Sequence, residues 1–343
     1  MKPRIIFRAD GNSHIGLGHL VRSMALANML QPHFRCFFAT QQPDPEIVVL
    51  LQSQKLEIIS LPKSEQYEAE AYFLRDNILQ AGDLVVLDGY SFATSYQRIL
   101  KQKFIKLVCI DDIFSYHFVA DVIINHAPGI TANSYSAEPY TSFCLGPEYA
   151  LLREPFLRTS VSAPEISGTP TSLFVCFGGA DAFNLTLAIT QTLSQIPAIK
   201  EIHVVIGSSY KFASTLWDFK KTVNKPIINI HQNLTAESLR QVLDQCQVAI
   251  CPASSVLMEV LSCRLKTLTG FYVENQRNFA HYCQENAFCF SLGNFLDKTP
   301  AALLHTIQDF LLKAESFVPK PYIVGNPQNN LLNKFLLLAN KST

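Results

Sequence analysis

The sequence predicts an α/β protein: two Rossmann-like parallel-sheet domains in tandem, facing across a cleft. Three observations carry that prediction. At 343 residues the chain is too long for one ordinary core, and domains of about 150 residues make two. Short β-branched or aromatic runs alternate with helical patterns, the order of βαβ units. Runs such as "LVVLD" and "KLVCID" are apolar throughout, as strands are when helices cover both faces of a parallel sheet.

In the first half, strands are predicted over Arg4–Arg8, Arg35–Ala39, Leu84–Leu87, Lys106–Ile110 and Asp121–Ile124. The helices between them are His19–Leu30, Pro45–Gln54, Ser64–Gln80 and Ser95–Lys103. The stretch "LRTSVSAPEISGTPTS" is rich in Ser, Thr, Pro and Gly without periodicity, and reads as a boundary. It divides the chain into a domain at 1–157, a linker at 158–171 and a domain at 172–343. The alternation then restarts with strand "SLFVCF", a helix from about Ala182, strand "IHVVIG", a helix from about Tyr210 and strand "IINI". Helix "AESLRQVLDQC", strand "QVAIC", helix "SSVLMEVLSC", strand "LKTLTGF" and helix "QRNFAHYCQEN" follow. A last helix, about Gln328–Leu338, is a candidate to pack back on the first domain.

Composition narrows the function classes. Lys plus Arg equals Asp plus Glu at 28 each, without the basic excess of proteins that hold long nucleic acid. Nine cysteines, with no CxxC pair or regular spacing, favour reduced thiols in a cytoplasmic chain over disulfides or a zinc site. The N-terminus reads as a strand with an early Asp, not a signal peptide. No run reaches the ~18 apolar residues of a membrane span. Nothing in the sequence signals an oligomeric state.

In open α/β sheets ligands gather at the carboxyl ends of strands, so the residues just after each strand are the informative ones. In the first domain these are Asp10 to His19, Asp88-Gly89-Tyr90 and Asp111-Asp112. Gly16 and Gly18 lack Cβ atoms, which lets backbone approach a ligand. His19 falls in the first turn of the next helix, and Arg22, three residues on, shares its face. The positive helix end and the guanidinium both disfavour imidazolium, so His19 is expected to be neutral near pH 7, fit to act as a general base. The plain alternative is a turn with a capping or packed histidine. His14 reads as a solvated loop residue. "GNSHIGLG" does not fit GxGxxG spacing, and no Walker GxxxxGK[ST] occurs, so a nicotinamide or ATP site is disfavoured.

In the second domain, "FGGAD" places Gly178 and Gly179 between a strand and a helix, with backbone N–H groups free for an anion. Ser254 and Ser255 in "CPASSVLMEV" sit at a helix start, with hydroxyls that can cap or meet an anion. Glu259 lies one turn down the same face, where a carboxylate can accept from the two ribose hydroxyls of a nucleotide. The alternative makes Ser255 a cap and Glu259 a solvated charge; Asn275 and Gln276 likewise read singly as caps of another helix. Asp111 and Asp112 are adjacent and point to opposite faces of a regular strand, so they do not chelate one ion together. No HExxH, EF-hand, GxSxG or His/Cys cluster appears, and no cofactor or metal is expected.

"RADGNSHIGLGHLVRSMALA", "VVLDGYSF", "VCIDDI", "LGPEYALLREPF", "CFGGADAFNLT" and "ENQRNFA" occur in an order that resembles one family. It is the UDP-2,4-diacetamido-2,4,6-trideoxy-β-L-altropyranose hydrolases of pseudaminic acid biosynthesis, with their spore-coat polysaccharide relatives. The resemblance runs from Arg8 to about Ala280. It implies a GT-B-like fold and metal-independent hydrolysis at the anomeric carbon with inversion. It further implies that His19 is the base that activates water, that Tyr90 positions water or sugar and that Asp10 belongs to the same catalytic loop. Asn275 and Gln276 would lie beside the diphosphate, and Glu259 would hold the nucleoside. Two positions depart from the pattern: Gly89 stands where the family has His, and "CPASSV" replaces a glycine-rich turn. Three functions follow in order: a UDP-sugar hydrolase for cell-surface glycan synthesis, a GT-B glycosyltransferase using the same donor, and a non-catalytic nucleotide-sugar-binding protein.

Overall fold

A computed structural model of the chain describes residues 2–11, 18–157, 168–323 and 325–340. Two compact units result: Met1–Glu154 together with Gly325–Thr343, and Pro155–Val324.

The first unit is built on β1 (Arg4–Ala9), α1 (Gly18–Leu30), β2 (Arg35–Gln41), α2 (Pro45–Ser53), β3 (Glu57–Leu61), α3 (Tyr67–Phe73), β4 (Leu84–Asp88), α4 (Thr94–Lys101) and β5 (Lys106–Ile110). It continues with β6 (His117–Phe118), β7 (Val122–Asn125), β8 (Ser136–Ala137) and β9 (Ser142–Leu145); α5 (Glu154–Leu157) begins at the last residue of that unit's first segment and runs into the second unit. Its sheet is parallel with order β3-β2-β1-β4-β5-β7-β9, while β6 and β8 form a separate pair. From β1 the chain moves outward through β2 and β3, then returns to the other side of β1 as β4. The topological switch point therefore falls between β1 and β4, where Ala9 pairs with Asp88.

Strand burial explains these elements. Ile5, Ile6, Phe7, Leu84, Val85 and Val86 are all 1% exposed or less, so both faces of the central strands are covered. Full burial of such a side chain stabilises by about 1.5–3 kcal/mol. The edge strands β3 and β9 lie outside the predicted set, because each is short and only partly buried, and carries little apolar signal. The predicted helix Ser64–Gln80 is interrupted: α3 gives way to a π-helical turn at Leu74–Ile78.

The second unit contains β10 (Ser172–Val175), α6 (Leu185–Ser194), β11 (Glu201–Ile206), α7 (Ala213–Thr222), β12 (Ile227–Gln232), α8 (Ala236–Asp244) and β13 (Val248–Ile250). After these come α9 (Ser255–Ser262), β14 (Lys266–Phe271), α10 (Arg277–Glu285), β15 (Phe290–Asn294) and α11 (Pro300–Ala314). Its parallel sheet has the order β12-β11-β10-β13-β14-β15, with the switch point between β10 and β13. Leu173, Val175, Ile202, Val204, Ile189 and Ile307 form part of its core. The last helix, α12 (Pro327–Asn340), belongs to the first unit. Phe335 meets Phe34 edge-on at 6.4 Å, and Asn330 Nδ2 donates to the Glu148 carbonyl at 2.9 Å. Of the predicted linker, residues 158–167 lie outside the described set.

One charged residue sits wholly inside the first sheet. Arg8, 0% exposed, donates from Nε and Nη2 to Glu70 at 2.7 and 2.9 Å, and its guanidinium lies 5.0 Å from the Phe92 ring centroid. Its Nη1 is 2.7 Å from Asp10 Oδ1, and Tyr96 Oη donates to Glu70 Oε1 at 2.8 Å. Removing one partner of a buried ion pair strands the other charge. Glu70→Ala is therefore expected to cost about 3–5 kcal/mol, read as a lowered urea midpoint; an unchanged midpoint would contradict this account.

Candidate active site

The switch point of the first sheet is organised by Asp88, the last residue of β4 and 1% exposed. Three residues from the first two turns of α1 converge on it. His19 Nδ1 lies 2.7 Å from Oδ1. Arg22 donates from Nη2 to Oδ1 at 2.6 Å and from Nε to Oδ2 at 2.9 Å. Ser23 Oγ donates to Oδ2 at 2.9 Å. Helical spacing makes this possible, since residues at i, i+3 and i+4 share one face. Burial alone would raise the Asp88 pKa, but the Arg22 charge and the bonds from His19 and Arg22 outweigh it, leaving Asp88 below the ordinary carboxylate value.

An ionised carboxylate only accepts, so the short His19–Asp88 contact places the proton on Nδ1, and Arg22 Nη2, which also lies 3.1 Å from Nδ1, donates to Asp88 instead. In the neutral ring this leaves the Nε2 lone pair free. Tyr90 packs edge-on against the imidazole at 4.7 Å between ring centroids, and is half exposed. Burial and the nearby Asp112 carboxylate push its phenol up to about 12, so it keeps its proton at neutral pH. Arg22 also donates from Nη1 to Asp112 Oδ2 at 2.8 Å. Asp111 turns the other way and accepts from the N–H groups of Ile113 and Phe114.

The sequence singles out His19, Tyr90 and Arg22, and these three stand together. It did not assign Asp88 or Asp112 a role, because their partner Arg22 is 66 and 90 residues away. The expectation of a neutral His19 weighed only cations, and the structure adds a carboxylate, Asp88, in direct contact with the ring. Asp10 belongs to another network: its Oδ1 accepts from Thr40 Oγ1 at 3.1 Å and from the Gln41 N–H at 2.9 Å, beside Arg8. Gly18 opens α1 with open space around its Cβ position. Gly16 and His14 lie outside the described residues.

In the second unit, the loops after β10, β13 and β14 leave the same edge of three neighbouring strands. Gly178 takes a φ of +84°, and a Cβ on Gly207 would lie 2.6 Å from the Cα of Gly179. The loops after β10 and β11 thus approach as only glycine permits. The helix expected from Ala182 begins at Leu185 instead, because Asp181 accepts from the N–H groups of Leu185 and Thr186 at 3.0 and 2.7 Å. Ser254, not Ser255, is the N-cap of α9, and its hydroxyl makes no capping bond. Glu259 is 7% exposed, which removes the alternative of a solvated charge. Asn275 and Gln276 sit in a 3-10 turn at Glu274–Gln276 just before α10, and Gln276 is the N-cap of that helix, without a side-chain capping bond. Asn275 is exposed, whereas Gln276 is buried and accepts from the Tyr272 N–H at 3.2 Å. Phe183 and Tyr272 meet edge-on at 5.8 Å, joining the loops after β10 and β14. Among the described residues, no group of three or more His, Cys, Asp or Glu side chains is placed to hold a metal ion. No helix among them is long and apolar enough to cross a membrane.

Two parallel-sheet α/β units with loops at their switch points define a GT-B-like protein. Solved structures bear this out: MurG of Acinetobacter baumannii matches with a TM-score of 0.62 at 13% identity, covering 98% of this chain and 100% of that one. MnaA of S. aureus with UDP matches at 0.62 and 9% identity, covering 99% of this chain and 97% of that one. Identities this low speak to fold alone. Sequence goes further. Over 293 residues the chain is 27% identical to the UDP-2,4-diacetamido-2,4,6-trideoxy-β-L-altropyranose hydrolase of Campylobacter jejuni, spanning 83% of this chain and 97% of that protein. It is 23% identical over 289 residues to the spore coat polysaccharide biosynthesis protein SpsG of Bacillus subtilis, spanning 83% and 82%. No family model matches the chain. The resemblance carried by the motifs is thereby borne out: this chain is a relative of those hydrolases and of the spore-coat proteins.

Because the Asp88 pKa is depressed on folding, its ionised form adds stability above the ordinary value of 3.8, lost as pH falls through the folded value. Asp88→Asn is expected to cost about 3 kcal/mol or more at pH 7. Urea midpoints of wild type and variant should converge in acid; a gap that persists undiminished there would contradict the assignment.

Proposed function

We propose that this protein hydrolyses a UDP-activated amino-deoxy sugar at its anomeric carbon, releasing UDP and the free sugar in the synthesis of a cell-surface glycan. The observation that carries this reading is the buried Asp88 carboxylate holding Nδ1 of His19, with Tyr90 against the ring. The sequence likeness to a UDP-sugar hydrolase supplies the substrate class.

In this reaction His19 Nε2 takes a proton from water while the water oxygen bonds to C1. The C1–O bond to the β-phosphate breaks, and UDP leaves with the electron pair. Attack opposite the leaving group inverts C1. Asp88 keeps its negative charge and steadies the imidazolium as it forms. Tyr90, holding its proton, donates to the water or a sugar oxygen. Asp10 is given a supporting part, tying the ends of β1 and β2 together through Thr40 and Gln41.

The second unit holds the nucleotide. Backbone N–H groups at Gly178 and Gly179, the N-terminus of α9 and the hydroxyls of Ser254 and Ser255 meet the diphosphate, supplying positive potential without a cation. Asn275 reaches the same phosphates, and Glu259 accepts from the ribose hydroxyls. Gln276, whose Oε1 closes the turn at Tyr272, positions Asn275. Nine buried cysteines, none in a disulfide, accord with a reducing cytoplasm. The fold shared with MurG favours one second reading, transfer of the sugar to an acceptor.

UDP release from UDP-sugars in water, with and without acceptors, separates the two. Release without acceptor is expected; release only with acceptor makes the protein a transferase, and binding without turnover makes it a binding protein. His19→Ala is expected to lower turnover by ~10²–10⁴-fold while the Kd for UDP stays unchanged. Full activity in that variant would remove His19 from the mechanism.

A further inference from the structure

His126 directly follows β7, beside the strand ends that carry Asp112 and Asp88. Ile124 pairs with Ile110, which in turn pairs with Asp88, and the Asp111 N–H donates to the Ile124 carbonyl at 3.0 Å. The strand register therefore brings His126 to the edge where His19 sits. It is 6% exposed, and the turn that carries it is fixed. Asn125 Oδ1 accepts from the Ala127 N–H, and Asn125 Nδ2 donates to Tyr135 Oη, both at 2.9 Å.

The ring has a defined tautomer. The Leu151 N–H donates to Nδ1 at 3.1 Å, so Nδ1 is an acceptor and the neutral ring carries its proton on Nε2. Nε2 has no hydrogen-bond partner among the described residues. The charged groups acting on the ring are Arg22 of α1, Asp112 after β5 and Asp88 of β4. Burial, then the Arg22 charge, push its pKa down to about 4, against the pull of the two carboxylates. With Nδ1 engaged by the Leu151 N–H, the Nε2–H is the polar group of the ring left for a ligand or water to meet. An uncharged donor suits an uncharged oxygen; a diphosphate is better met by cations or helix ends.

We infer that His126 is a specificity-determining residue whose Nε2–H donates to an uncharged oxygen, hydroxyl or amide carbonyl, on the sugar half of the bound nucleotide sugar. The inference rests on the proposed UDP-sugar site and adds the group that distinguishes a sugar-bearing ligand from UDP itself.

Calorimetric titration of the full chain with UDP-N-acetylglucosamine and with UDP tests it. His126→Phe is expected to weaken UDP-N-acetylglucosamine by about 10-fold and leave UDP within about twofold. His126→Gln, which keeps a donor and an acceptor, should restore most of the loss. Equal weakening of both ligands, or of neither, overturns the inference, as does a wild type that binds UDP but not the sugar nucleotide. A wild type that binds neither ligand instead overturns the UDP-sugar reading, and this inference with it. Should the Phe variant not fold, the ring-nitrogen NMR resonance of His126, assigned by its loss in His126→Gln, decides. Nε2 must shift with UDP-N-acetylglucosamine and not with UDP; a resonance blind to both overturns the proposal.

Discussion

A carboxylate buried at the end of a central strand is the constraint on which the first unit's site depends. Asp88 has no water to solvate it, and a buried charge left alone costs several kcal/mol. The start of α1 supplies what it needs: one guanidinium, one hydroxyl and one imidazole N–H. The helix start is therefore tied to the sheet by the same bonds that fix the tautomer of His19. Arg22 is shared between Asp88 and Asp112, so two carboxylates face one guanidinium. In the proposed reaction, that excess negative charge stands beside a ring that is about to become positive. A preorganised field of this sign favours the transition state without rearrangement.

The second unit solves a different problem with different parts. Its switch point is lined by backbone and hydroxyl groups. Gly178, Gly179 and Gly207 allow close approach of chain segments, and Ser254 leaves its hydroxyl free of capping. Dipoles and N–H groups suit a polyanion, because they spread positive potential over several oxygens without a buried cation to solvate. Under the proposed function, the concentrated charge of the first unit would serve the reacting carbon and the distributed dipoles of the second the diphosphate.

How much of this was legible in the sequence depended on the range of the interaction. Local patterns revealed most of the central strands, because Ile5–Phe7 and Leu84–Leu87 are buried on both faces and read as continuous apolar runs. Helix spacing put His19 and Arg22 on one face. Edge strands such as Glu57–Leu61 and Phe290–Asn294 were not visible, since partial burial leaves a diluted pattern. The bonds that define the site were hidden for another reason. Asp88 lies 69 residues from His19, and His126 gains its setting from pairing of β7 with β5. Glu259 looked like a surface charge on an amphipathic helix, and only packing shows it buried. Post-strand position did mark Asp88 and Asp112, though without a role, and it is the one signal that could also have raised His126, because it marks the ligand edge whatever the residue type.

Two places differ from the pattern of the family that the motifs resemble. A Cβ on Gly89 would lie 2.9 Å from the Phe92 ring. That ring packs against Tyr96 at 4.9 Å and lies under the Arg8 guanidinium, inside the Arg8–Glu70 network. Glycine at position 89 is thus coupled to where Phe92 sits, and its flanking residues, Asp88 and Tyr90, still meet His19. In the second unit the loop "CPASS" lacks glycine but is held by other bonds. The Ala253 N–H donates to the Gly270 carbonyl at 2.8 Å, and the Ser254 N–H to the Pro252 carbonyl at 2.8 Å. Ser254 remains in position ahead of α9. At both positions the residue present is accommodated by its own surroundings.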